Sequence, residues 1–272
     1  MRTSHLYKTI ITPDTTLVEA QFVAACEAFD SFGELIYEGR NTLRSGTIGG
    51  VAVTIKRFAR PNVVNRWAYV TVRSSKAMRS FVYAGRLAAL GIATPKPFAA
   101  LEWREGWALG YSYYISATSA LRHEIREFWT RPTTPLRADI LEAFGRFTAA
   151  IHRAGVLHVD YSAGNVLYGA PALSSGAADD ARRPSSDAIA FELLDLNRMR
   201  FCAVSEAMGY RNFERLWLPD DCFRIIARAY AEAMGYDGAT AEQRILHHAH
   251  RFMNKKCSSR KMRATKDVAT CE

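Results

Sequence analysis

The stretch VLHVDYSAGNVLY, residues 156–168, decides how the chain is read. It passes from apolar residues into His158-Val159-Asp160, reaches Asn165, and returns to an apolar run. Asp, Ser, Gly and Asn are ordinary loop residues, so a surface turn accounts for the composition by itself. It does not account for an Asp and an Asn five residues apart in a loop held by an apolar segment on each side. The flanking sequence supplies the context.

Upstream, PLRADILEAFGRFTAAIHRAG (135–155) carries Ile140, Phe144, Phe147 and Ile151 at helical spacing, and Gly155 closes the segment. Downstream, residues 169–188 are rich in Gly, Ala, Ser, Pro and charge and read as a mobile insertion. AIAFELLDL then reads as a strand ending at Asp195, and the remainder is mostly helical, with one segment opened by Pro219-Asp220-Asp221.

The first part of the chain has a different character. After a helix expected over Thr16–Phe29, the segments ELIYEGR, LRSGTI and VAVTIKRF read as strands, with Gly49-Gly50 as the hairpin turn before the third. SSKAMRSFVYAGRLAALG reads as a helix capped by Ser74 or Ser75, with Phe81, Ala84 and Ala88 on one face and Gly91 at its end. KPFAALE and WALGYSYYIS add two strands, for a five-stranded sheet with one inserted helix. The expected fold class is α+β. A small β-rich N-terminal lobe (1–117) precedes a larger helical C-terminal lobe (118–272) that carries the insertion at 169–188.

Composition bounds the function. Apolar residues make up 49% and charged residues 23% of the 272, as in ordinary globular proteins. No apolar run approaches the roughly 20 residues of a membrane helix, and the N-terminus lacks a signal-peptide core. Five cysteines without C-x-x-C spacing argue against a disulfide framework or zinc site and fit a reducing cytoplasm. The net charge of +9 is uneven: residues 39–101 hold eleven Lys/Arg and no acid, and Arg251–Lys266 holds seven more, again with no acid. Such blocks suit an anionic partner: phosphates, nucleic acid or an acidic membrane surface. No recognition motif points to nucleic acid, and none is expected as partner.

Phosphoryl transfer needs a cation on the nucleotide phosphates, oxygen ligands for magnesium, and an acceptor that orients the attacking hydroxyl. Lys56 at the end of an apolar strand, Asp160 and Asn165 in one loop, and Asp195 at a later strand end supply that set in order. These positions resemble the signatures of the protein-kinase-like fold: the strand Lys, the His-x-Asp-x-x-x-x-Asn loop and the strand-terminal Asp. Within that superfamily LLDLNRMRF is most similar to the Asp-Leu-His-Arg-type motif of the lipopolysaccharide core kinase family, which phosphorylates heptose or 3-deoxy-octulosonic acid (Kdo). GRNTLR, IKRF and LAALGIATPKP also look like that family's first lobe, so the likeness spans about residues 34–202.

The resemblance implies a bilobal protein-kinase-like fold and an ATP- and Mg2+-dependent kinase acting on an inner-core sugar of lipopolysaccharide. It implies Asp160 as catalytic base or hydroxyl-orienting group, Lys56 as the phosphate clamp, and Asn165 and Asp195 as magnesium ligands. His158 is read as structural, and Arg198 as either a substrate-phosphate contact or the partner of an acid. A glycolipid substrate and the basic blocks together imply a cytoplasmic protein in peripheral contact with the inner face of the inner membrane. Two departures stand out. No Gly-x-Gly-x-x-Gly loop is present. The Glu that kinases place on the following helix, near Ser80, is ruled out by the acid-free interval, so Lys56 pairs elsewhere, with Asp195 as one candidate, or the geometry assembles differently. The alternatives are a pseudokinase scaffold and a small-molecule phosphotransferase of the aminoglycoside or choline type.

Overall fold

The computed structural model describes residues 7–62, 74–106, 108–130, 135–169 and 189–269. The chain divides into two compact units, Met1–Ala120 with Asp195–Arg198, and Leu121–Leu194 with Met199–Glu272.

The first unit is built on an antiparallel sheet of six strands: β1 (Tyr7–Ile11), β2 (Glu34–Glu38), β3 (Thr42–Ile48), β4 (Val51–Phe58), β5 (Pro97–Glu105) and β6 (Ala108–Ala117). Their order across the sheet is β1-β5-β6-β4-β3-β2. The expected sheet had five strands. The sixth, β1, pairs along the edge with β5, from Tyr7 opposite Trp103 to Ile11 opposite Ala99. Gly49 and Gly50 both take positive φ, 53° and 83°, which a two-residue turn between twisted strands requires.

Strand alternation sends neighbouring residues to opposite faces. Val53 and Ile55 of β4 point into a core with Phe22, Ala25, Cys26 and Phe29, brought by helix α1 (Glu19–Glu27) and the turn after it. α1 is shorter than the expected Thr16–Phe29. The even-numbered residues of β4 face the other way. There Phe58 packs with Ala77, Met78 and Phe81 of helix α2 (Lys76–Ala89) and with Tyr114 of β6. Burying one such aromatic side chain contributes about 1.5–3 kcal/mol. The buried residues of α2 are Ala77, Met78, Ser80, Ala84 and Leu87; Ala88, expected on that face, is exposed.

In the second unit the helix α3 (Pro135–Arg153) packs on α5 (Asp220–Met234). A Cβ on Gly145 would stand 2.7 Å from the Ile226 carbonyl oxygen, so the two backbones approach where a side chain would not fit. Short strands β7 (His123–Glu124), β9 (Val166–Gly169) and β10 (Ala190–Leu193) form one small sheet, in the order β10-β9-β7. β8 (Val156–His158) pairs with β11 (Met199–Phe201) in another. Helices α4 (Glu206–Asn212) and α6 (Gly238–Ala269) complete the unit. Apart from Gly169, which ends β9, the expected insertion at 169–188 lies outside the described residues. Among the described residues no helix is long and apolar enough to cross a membrane.

Candidate functional site

In the first unit, the alternation of β4 puts Lys56 on the α2 face, opposite Leu43 of β3 and Tyr114 of β6. Its ammonium donates to Asp195 Oδ1 at 2.6 Å, and the Lys56 side chain is only 14% exposed. The partner of Lys56 is thus Asp195, which lies two residues beyond the end of β10 at Leu193 rather than at the strand end expected from sequence. Asp195 takes φ 52°, a left-handed conformation that Asp tolerates better than most residues. Asn197, buried two residues later, donates from Nδ2 to the same Oδ1 at 2.5 Å. The two donors thus meet at the same carboxylate oxygen.

In the second unit, the loop after β8 is fixed by hydrogen bonds within itself and to the backbone of Leu194. Asp160 N–H donates to His158 Nδ1 at 3.2 Å, and His158 Nε2 bonds the Leu194 carbonyl at 2.9 Å. Those two contacts define the tautomer: Nδ1 accepts and Nε2–H donates. His158 therefore holds the loop, the structural part assigned to it from sequence. The Asn165 Nδ2 donates to the Asp160 carbonyl at 2.9 Å, and the Asn165 carbonyl accepts from Leu194 N–H at 2.9 Å. Spending its nitrogen this way leaves the amide oxygen of Asn165 as the atom available to a ligand. Leu194 is the residue before Asp195 in the chain.

Three residues that sequence reasoning did not single out complete the loop's surroundings. Arg215 donates to Asp160 Oδ1 at 2.6 Å. Asn212 donates to the His158 carbonyl at 2.9 Å. Arg126, paired with Glu124 at 3.1 Å, lies against Gly164 so closely that a Cβ there would overlap its guanidinium. None of the three is announced by spacing, because each reaches the loop from a distant part of the sequence.

Behind the loop, Tyr161 is fully buried, stacks on Phe144 at 5.8 Å and shares a 2.8 Å hydrogen bond with Thr148. Burial pushes its phenol far above the usual value, so it stays neutral. A second buried chain runs through His152. Tyr230 O–H donates to Nδ1 at 2.9 Å, and Nε2–H donates to Asn212 Oδ1 at 3.0 Å. Burial lowers the His152 pKa to about 4, with the Asn212 hydrogen bond opposing the shift.

Magnesium is implied by the sequence resemblance, and the donor chemistry fits it. A hard cation takes amide, carboxylate and phosphate oxygens together with water, and Asn165 and Asp195 supply one of each protein type. Among the described residues no three His, Cys, Asp or Glu side chains gather into a metal-holding group.

Comparison with known proteins bears on the fold and the family. No curated protein matches the chain. Among solved structures, one described as WaaP in complex with acyl carrier protein is similar at a TM-score of 0.55 and 18% identity, covering 90% of this chain and 99% of its own. That likeness concerns the fold, an antiparallel sheet unit followed by a mainly helical one, of protein-kinase-like type. The sequence evidence is more specific, because a family model described as lipopolysaccharide kinase (Kdo/WaaP) matches residues 37–218, from within β2 to the residue before the Pro219 that opens α5. That span includes Lys56, Asp160, Asn165 and Asp195, and the chain belongs to the lipopolysaccharide kinase (Kdo/WaaP) family, a phosphotransferase of the lipopolysaccharide core.

Proposed function

We propose that the protein transfers the γ-phosphoryl group of ATP, with Mg2+, to a hydroxyl of Kdo or heptose in the inner core of lipopolysaccharide. The observation that carries this reading is the Lys56–Asp195 pair at 2.6 Å, a buried-side cation held on that acid in the absence of a helix Glu. In the proposed roles, Lys56 clamps the nucleotide phosphates and Asp160 orients the acceptor hydroxyl and receives its proton. The hydroxyl oxygen forms a bond to the γ-phosphorus as the bond to the β–γ bridging oxygen breaks, and ADP leaves with that electron pair. Magnesium, when bound by Asn165 and Asp195, neutralises charge on the phosphate oxygens. Arg215 holds the Asp160 carboxylate in one orientation, which suits a group that must meet a hydroxyl at a fixed angle.

Incubating the protein with ATP, Mg2+ and a panel of dephosphorylated core glycolipids tests the reading and names the sugar. Positioned proton acceptors contribute about 10²–10⁴-fold in rate, so Asp160→Ala should slow transfer by that order while nucleotide affinity stays near that of the wild type. Loss of nucleotide binding with normal residual turnover would assign Asp160 to binding instead.

A further inference from the structure

The region where kinases place the helix Glu holds cations here. Lys76 is the first residue of α2, and its ammonium lies over the Phe58 ring at 6.0 Å from the centroid. Lys56 lies over the same ring at 5.2 Å. Burial lowers the Lys76 pKa, Arg40, Arg79 and Lys56 push it the same way, and Asp195 opposes them. The neighbouring cations are mostly neutralised: Lys56 by Asp195 at 2.6 Å, Arg57 by Asp30 at 2.8 Å and Arg60 by Glu105 at 2.7 Å. Among the described residues no carboxylate forms an ion pair with Lys76 or with Arg40, which sits in the turn between β2 and β3.

These two cations line one space. A cavity of about 190 Å³ is bounded by Arg40, Phe58, Arg60, Asn62, Lys76 and Ser112, several times the ~30 Å³ share of a water molecule. Two cations held near each other repel, and an anion between them relieves the repulsion. The N-terminal end of α2 adds a field of the same sign.

We propose that Arg40 and Lys76 form a phosphate-binding subsite beside Lys56, taking a phosphate of the nucleotide or of an anionic acceptor. The inference rests on the kinase reading for the source of that phosphate, and the binding itself is separable from turnover. Titrating ATP, ADP, adenosine, inorganic pyrophosphate and a phosphorylated core glycolipid into the wild type, Lys76→Met and Lys76→Arg tests it, with melting temperatures to verify folding. Methionine keeps an unbranched side chain over Phe58 and removes only the charge. Losing a charge-assisted hydrogen bond should weaken ATP about tenfold, leave adenosine unchanged and be restored by Lys76→Arg. If instead the nucleotides bind equally and the glycolipid alone weakens about tenfold with rescue by arginine, the subsite takes the acceptor's phosphate. A wild type that binds neither ATP nor ADP would overturn the kinase reading, and pyrophosphate would then decide: weaker binding by Lys76→Met retains the subsite. Equal affinity of the wild type and a folded Lys76→Met for every ligand would overturn the proposal.

Discussion

A neutral imidazole at position 152 ties α5 to the loop that carries Asp160, through Tyr230 on one side and Asn212 on the other. Its native pKa is about 4, against an ordinary value of 6.5, so between those values the unfolded chain binds more protons than the folded one. Stability from this group is fully present above about pH 6.5 and is lost as pH falls towards about 4, by about 3 kcal/mol in all. Urea denaturation from about pH 7 to about pH 5 should show stability falling in the wild type and falling less in His152→Gln; equal slopes would contradict it. Residues of this kind mark where sequence reading stopped. Asp160 and Asn165 lie in one short loop and could be read as a unit, and Asp195 could be offered as a partner for Lys56 because residues 39–101 contain no acid. Asn212 and Arg215 reach that loop from the end of α4 and the turn behind it, where GYRNFERLW carries no motif. Their part depends on tertiary placement alone.

At the scale of elements, α2 sets where Lys76 begins. Ser75, fully buried, caps the helix by accepting from Met78 N–H at 3.2 Å. Ser75→Ala should destabilise the protein by about 1 kcal/mol, measured by chemical denaturation; an unchanged midpoint would show that the cap contributes nothing. That cap was legible as a Ser before a helical run, and β4 matched its predicted limits because VAVTIKRF is bounded by a Gly-Gly turn. β1 was not legible. YKTII is short, carries its two polar residues side by side rather than in alternation, and is mostly exposed, and its place comes from the edge of β5, a long-range pairing without a local signal. Ala88 lies on the exposed side of α2, against expectation, for a related reason: alanine fits either face, so its small side chain gives periodicity little purchase.

For the whole molecule the uneven charge matters most. Residues 251–269 lie in α6, and the acid-free block Arg251–Lys266 falls within that span. Each such cation near an anionic surface contributes on the order of 1 kcal/mol, over about a Debye length. Anionic vesicles should therefore bind the protein at low salt, and charge reversal at Lys255, Lys256, Arg260 and Lys261 should release it; equal co-sedimentation of both forms would leave the block a solvated helix end. The kinase reading itself stands on Lys56, Asp160, Asn165 and Asp195 acting together. It is tested most directly by mass spectrometry of a dephosphorylated core glycolipid after incubation with ATP and Mg2+, using the wild type and a folded Asp195→Asn variant. The account predicts one new phosphate monoester on an inner-core sugar with the wild type and none with the variant. An unmodified glycolipid with the wild type, or equal phosphorylation by both proteins, would contradict it.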